Sequence, residues 1–165
     1  MTTLTGSARA VLEAVLECLH PADELGPGAT EVGLPGYLLG QLEGPLRRFV
    51  PWYVTGLSAL DRHARTTTGK PFADLAPSGQ EAVLSEFEAL GAEPEFFDLL
   101  IEHAYEGLFG DPAYGGNAQG AGWRLVGYPG PQPVVSAQEQ QFGHVRPSSG
   151  TSIYALTLFA AGRPA

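Results

Sequence analysis

Three residues near the middle of the chain are of types that could do chemistry. His103 and Glu106 are spaced i, i+3, and Asp111 follows shortly after them. An imidazole and two carboxylates could act as general acid and base groups or as metal ligands. Helical metal sites, however, use two copies of Glu-x-x-His or two histidines at i, i+4 around a glutamate. The chain has His-Ala-Tyr-Glu once, so a hydrogen-bonded structural histidine is the favoured interpretation of His103.

Asp111 is followed by Pro112, and this dipeptide is typical of a turn in which the aspartate side chain accepts a bond from a nearby backbone N–H. A catalytic carboxylate would need a partner acid or base, for which Glu106 is the nearby candidate. The structural turn is favoured. The alternative left open is an enzyme in its own right that uses Glu106, Asp111 and His103 as acid and base groups.

These residues lie in or beside a glycine-rich segment, residues 102–130. Eight of its 29 positions are glycine, whereas average usage is about 7%. Glycine allows positive φ and close backbone approach. The spacing matches neither the dinucleotide nor the phosphate-loop pattern, so a nucleotide site is not predicted. Two interpretations stay open, a partner-binding surface and a loop packed on its own helices. Large aromatic side chains that could serve either role are interspersed with the glycines: Tyr105, Phe109, Tyr114, Trp123 and Tyr128.

Helical periodicity of apolar residues predicts the elements that position this segment. The predicted helices cover residues 8–19, 37–42, 45–64, 78–90 and 94–108. Gly44 and Pro45 mark the expected start of the third helix, and Pro51 should kink or divide it. Ser78 and Glu81 have the spacing of a capping box for the fourth helix.

The chain after Gly130 is rich in Pro, Gln, Ser and Gly and predicts an extended arm. Its last apolar piece, residues 153–161, is too short to assign as helix or strand. The predicted fold is mainly α: a compact domain of about five helices with a long glycine-rich loop, residues 1–130. The extended C-terminal arm, residues 131–165, is expected to dock on this body or on a partner.

Composition limits the function classes. Nine basic and 18 acidic residues give a net charge of −9, which argues against nucleic acid or an anionic membrane surface as a partner. Cys18 is the single cysteine and is expected to pack on a helix face. No apolar run approaches the roughly 20 residues of a membrane span. No export signal is recognised in the N-terminal residues, so the sequence as it stands predicts a cytoplasmic location.

The run from Phe96 to Gly130 resembles the signature of the gluconate 2-dehydrogenase subunit 3 family. These are small subunits of multi-subunit FAD-dependent sugar and sugar-acid dehydrogenases. Family-like spacing also occurs upstream, so the resemblance covers roughly residues 7–130. The matched features are Phe96-Phe97, Glu106-Gly107, Asp111-Pro112, Tyr114-Gly115-Gly116-Asn117, Gly122-Trp123 and Gly127-Tyr128-Pro129-Gly130, with Gly56-Leu57 to Asp61 and Gly69-Lys70-Pro71-Phe72 upstream.

The resemblance implies an accessory subunit bound to a large flavoprotein of the glucose-methanol-choline type, acting on a hydroxyl of a sugar, sugar acid or glycoside. The FAD and the catalytic base would belong to that partner, and this chain would hold no cofactor. An electron-acceptor subunit is a further candidate partner. Similar subunits help the large one fold and mature, and many carry it through the twin-arginine export route. A periplasmic or exported location therefore applies if a signal was removed or the partner carries one.

Six residues are candidates for partner binding or for organising the loop. Four glycines would shape the loop while Tyr114, Trp123 and Tyr128 hold it in place. An alternative is that Tyr114, Asn117 or Trp123 reaches the partner's active-site entrance. The six candidates are Glu106, Asp111, Tyr114, Asn117, Trp123 and Tyr128.

Overall fold

The computed structural model describes Leu4, residues 6–157 and Phe159. Part of the apolar piece 153–161, namely residues 158, 160 and 161, lies outside these residues. Within the described residues the fold has α-helices and no strand, so the predicted mainly α class is confirmed. The helices are α1 (Gly6–Leu19), α2 (Leu34–Glu43), α3 (Val50–Thr68), α4 (Pro77–Ala89), α5 (Pro94–Phe109) and the short α6 (Ala121–Leu125).

The core forms where the predicted apolar faces meet. Helices α1, α3 and α4 pack against one another, α5 packs on α3, and α2 packs on both α1 and α5. Leu12 and Leu16 of α1, Leu60 of α3 and Leu100 of α5 are fully buried. Cys18 is half-buried and packs against this core, as expected, and burial raises the pKa of its thiol.

Three helix starts differ from their predictions, and a proline lies in the first turn of each helix. Helix α2 begins at Leu34 rather than near Tyr37, with Pro35 in its first turn. Helix α3 begins at Val50, after a 3-10 turn at Arg47–Phe49, rather than at Pro45. Pro51 occupies its first turn, where the missing N–H costs nothing, so Pro51 divides the predicted helix. The capping box at Ser78 and Glu81 is wrong. Pro77 takes the first turn of α4, which moves Ser78 inside the helix, and no side chain caps this end.

Helix α5 lies close to α2 and α3 because glycines remove side chains at both crossings. A Cβ on Gly56 of α3 would overlap the ring of Phe96 on α5. A Cβ on Gly107 of α5 would overlap the ring of Tyr37 on α2. Helix α5 is therefore held against α3 near its start and against α2 near its end, where Glu106 lies.

The described part of the arm has no regular helix or strand beyond a 3-10 turn at Ile153–Ala155. It returns to the body, where the Ser149 N–H donates to the Pro129 carbonyl at 3.2 Å. Among the described residues, no helix combines the length and the apolarity needed to cross a membrane.

Candidate functional site

Asn117 closes the loop between α5 and α6. It is fully buried and adopts the left-handed conformation, with φ of 49°. Its Nδ2 donates to the Gly110 carbonyl at 2.7 Å, and its Oδ1 accepts from the Gly122 N–H at 2.8 Å. One side chain thus joins the residue after α5 to the first turn of α6.

Trp123 holds the same junction through a further bond to the end of α5. Its ring is 4% exposed, and its Nε1 donates to the Phe109 carbonyl at 2.7 Å. The ring of Tyr128 packs edge-on against it, with centroids 5.2 Å apart. Carbonyls at a helix C-terminus lack partners within the helix, so Trp123 satisfies one such group of α5.

Glycines let the loop lie directly on the α5 backbone. A Cβ on Gly116 would overlap the Gly107 carbonyl, and a Cβ on Gly122 would overlap the Leu108 carbonyl. The segment therefore packs on its own helices, which is one of the two interpretations that the sequence left open. Its contact with a partner stays a prediction.

Asp111 forms the predicted turn and one further contact. Its Oδ1 accepts from the Ala113 N–H at 2.9 Å, which confirms the turn. Its Oδ2 accepts from the Ile153 N–H at 2.8 Å. Both carboxylate oxygens are thus occupied by backbone donors, and the second bond fastens the arm to the loop.

His103 is a buried structural histidine, as predicted. Its Nδ1 lies 3.0 Å from the Tyr53 hydroxyl, and the rings of Tyr53 and Phe49 pack against its imidazole. Burial lowers the pKa of His103, because the charged imidazolium loses hydration, and raises the pKa of the Tyr53 phenol.

Glu106 is exposed and lies in the wall of an open groove of about 540 Å³, which we call the aromatic groove. The Tyr37 hydroxyl donates to Glu106 Oε2 at 3.5 Å. Burial, together with the negative charge of Glu106, raises the pKa of Tyr37 to about 12. The groove is lined by Tyr37, Gln41, Tyr105, Glu106, Phe109, Gly110 and Tyr114.

The helices and the glycine-rich segment match a known protein family. The family described as Gluconate 2-dehydrogenase subunit 3 matches residues 7–130. The chain belongs to this family. The match runs through all six helices and ends with the glycine-rich segment, as the resemblance predicted. The description of the subunit 3 family names a subunit of a dehydrogenase, which is consistent with an accessory role. No curated protein and no solved structure matches the chain significantly.

In this subunit 3 chain the acid and base candidates are not joined to one another. No hydrogen bond among the described residues links any two of His103, Glu106 and Asp111. The same part of the chain contains no group of three or more His, Cys, Asp or Glu side chains able to hold a metal.

The six candidate residues divide by exposure. Asn117 and Trp123 are buried within the subunit. Tyr114 and Tyr128 are 46% and 44% exposed, and the Tyr114 hydroxyl lies 2.9 Å from that of Tyr154 in the arm. Of the three side chains considered for the partner's active-site entrance, only Tyr114 reaches the surface.

The contribution of α2 to the site was not predicted from the sequence. Tyr37 lines the aromatic groove, but in the sequence it looks like any apolar residue on the buried face of a helix. Its partner Glu106 lies 69 positions away, so no local pattern links the two residues. The spacing of Tyr105 and Phe109 did carry a signal. Rings at i, i+4 share a helix face, and these two lie 5.9 Å apart along the groove.

Proposed function

We propose that this chain is the noncatalytic small subunit of an FAD-dependent oxidoreductase of the glucose-methanol-choline type. The complex would oxidise a hydroxyl of a sugar, sugar acid or glycoside. This chain would support the folding, stability and maturation of the flavoprotein. The observation that carries the proposal is membership of the subunit 3 family across residues 7–130.

The noncatalytic role is supported by how the chain uses its own acid and base candidates. Both carboxylate oxygens of Asp111 accept hydrogen bonds from backbone N–H groups, and His103 is 2% exposed and packed against aromatic rings. Neither group is placed to exchange a proton with a substrate in solution, because general acids and bases must come within hydrogen-bond reach of the reacting atom. Glu106 remains exposed but is left without its two supposed partners.

Placing the flavin in the partner is supported by the use of the glycines. Removing a hydride from a carbon that bears a hydroxyl is chemistry that a cofactor supplies. Glycines that cradle a pyrophosphate leave their backbone open to the ligand. Gly116 and Gly122 instead contact the carbonyls of α5, so the close approach that they permit is already used within the chain.

Paired expression tests the proposal. The tagged chain is purified with its flavoprotein from the source cells, and the flavoprotein is also produced without it. We expect the flavoprotein made alone to be less soluble, poorer in FAD and less active per milligram. An equally soluble, FAD-loaded and active flavoprotein made without this chain would refute the supporting role.

A triple substitution tests the alternative of catalysis by this chain. His103→Gln, Glu106→Gln and Asp111→Asn together remove the acid and base groups while keeping similar shapes. If the chain is noncatalytic, turnover per bound FAD in the assembled complex should stay within about twofold of the parent. Loss of turnover in a complex that still assembles and retains its FAD would support the enzyme alternative instead.

A further inference from the structure

The surface beside the glycine-rich segment has a composition that fits one kind of ligand. We propose that the aromatic groove receives an arginine side chain from a basic segment of the flavoprotein, which pairs with Glu106. The identity of the partner rests on the proposed function. The chemistry of the pocket rests on the groove itself.

The groove offers aromatic rings and the carboxylate of Glu106, which has no ion pair among the described residues. Tyr105 and Tyr114 are 59% and 46% exposed and lie together in the groove beside Phe109. Exposed apolar side chains that form one continuous patch are typical of interaction sites. The one hydrogen bond described for the Glu106 carboxylate, from the Tyr37 hydroxyl, is long at 3.5 Å, so the carboxylate retains most of its accepting capacity.

A guanidinium is the group that uses both features. It is planar, stacks on aromatic faces and forms two parallel bonds to a carboxylate. An ammonium pairs with the carboxylate as a point charge but lacks the flat face. An arginine side chain therefore fits the groove better than a lysine.

Charge along α5 favours a basic segment rather than a lone arginine. Four exposed carboxylates follow one another on this helix at spacings of three and four, which places them on one face. No described ion pair neutralises any of them. We call this row, which ends at the groove, the acidic stripe: Glu95, Asp98, Glu102 and Glu106.

The same charges argue against a second copy of this chain as the occupant. Each chain carries a net charge of −9, so the acidic stripe would meet an acidic surface. A basic segment of a different subunit would instead relieve the repulsion between neighbouring carboxylates. The flavoprotein is the partner that the proposed function supplies.

Site-specific cross-linking tests the location of the partner. A photoreactive phenylalanine derivative replaces Tyr105 in the tagged chain, which is then purified with the flavoprotein and irradiated. The cross-linked peptide should come from the flavoprotein and contain an arginine. The control position is Leu90, which is similarly exposed at the end of α4. A cross-link to a second copy, to another segment of this same chain, or to no protein would overturn the proposal.

Binding measurements test the role of the carboxylate. Glu106→Gln keeps an acceptor for Tyr37 and should leave helicity unchanged, yet raise the Kd for the flavoprotein by about 10-fold or more. The affinity of this variant should also depend less on salt. Glu88→Gln removes an exposed charge from α4 and should change Kd by less than about twofold.

The outcomes separate the two proposals. If the parent chain captures no flavoprotein, the proposed function fails and the groove assignment fails with it. If the parent binds the flavoprotein but Glu106→Gln binds equally well, with cross-links elsewhere, only the groove assignment fails.

Discussion

Two buried polar residues in the described part of the chain explain why the end of α5 is so well defined. His103 and Asn117 are the polar side chains buried there, and each has a partner. His103 joins α5 to Tyr53 of α3, while Asn117 joins the loop to both of its ends. Because an unpaired buried polar group is costly, each arrangement favours a single geometry over looser ones.

Asn117→Ala should be among the more damaging substitutions in the loop. It removes the acceptor of the buried Gly122 N–H and the donor to the partly buried Gly110 carbonyl, leaving both backbone groups unpaired. We expect a loss of about 2–4 kcal/mol in the free energy of unfolding, measured by urea denaturation. Gln119→Ala is the matched control, because Gln119 also has positive φ but is exposed, and should cost less than about 0.5 kcal/mol. Equal losses in the two variants would contradict this role of Asn117.

His103 should make stability depend on pH. Its folded-state pKa lies below the unfolded value of about 6.5, so the unfolded chain binds a proton first as pH falls. His103 therefore leaves the free energy of unfolding unchanged above about pH 6.5. Below that pH it lowers the free energy of unfolding by up to about 1.4 kcal/mol per pH unit. Urea titrations between pH 5 and 8 should show the dependence in the parent and a weaker one in His103→Gln. The control variant is His144→Gln, at an exposed position, and it should keep the pH dependence of the free energy of unfolding seen in the parent. If that pH dependence is lost in His144→Gln and kept in His103→Gln, the assignment to His103 is refuted.

At the scale of elements, α5 is the support on which the site is built. It packs closely against α3 at Gly56 and against α2 at Gly107. Backbone carbonyls in its last turn contact the loop and accept a hydrogen bond from it. The aromatic groove lies at its C-terminal end, between α2 and the turn of Pro112–Tyr114. A shift of α5 would therefore change the groove and the loop together.

Gly56→Ala tests the close crossing of α3 and α5. An added Cβ meets the ring of Phe96, which is buried, so overpacking should cost about 1–3 kcal/mol. Gly40→Ala on α2 is the control, because a Cβ there meets nothing within 4 Å. It should stabilise the fold by about 0.4–1 kcal/mol, since alanine favours helix and restricts the unfolded chain. Thermal unfolding of both variants checks the opposite signs, and a shared sign would contradict the packing argument.

The helices with a continuous apolar face were predicted from the sequence. A helix that buries one face must carry its apolar residues at helical spacing, and this spacing is visible in the sequence. The prediction failed at the starts of α3 and α4, where Pro51 and Pro77 determined the first turn ahead of Pro45 and Ser78. The turn at Asp111 was predicted since its bond is local. Tyr37 was not recognised in the groove, because only packing of α2 on α5 brings it to Glu106.

At the scale of the whole molecule, the arm beyond the family match is attached to the same loop that forms the site. The Ile153 N–H reaches Asp111, the Tyr154 hydroxyl reaches Tyr114, and Gly150 lies against the backbone of residues 119 and 120. Tyr114 also lines the aromatic groove. The arm is therefore positioned to affect the groove, although it lies outside residues 7–130.

Asp111→Ala tests whether this attachment is local. The variant removes the acceptors of the Ala113 and Ile153 N–H groups, and a loss of about 1.4 kcal/mol at each corresponds to a tenfold change in the opening equilibrium. We expect hydrogen exchange at these amides to become about 10-fold faster, with little change at core amides of α1 and α3. Asp98→Ala is the matched control, because it removes an exposed aspartate from α5 and should leave both amides unchanged. Faster exchange throughout the helices would mean that Asp111 stabilises the whole fold, whereas an unchanged Ile153 amide would show that other contacts hold the arm.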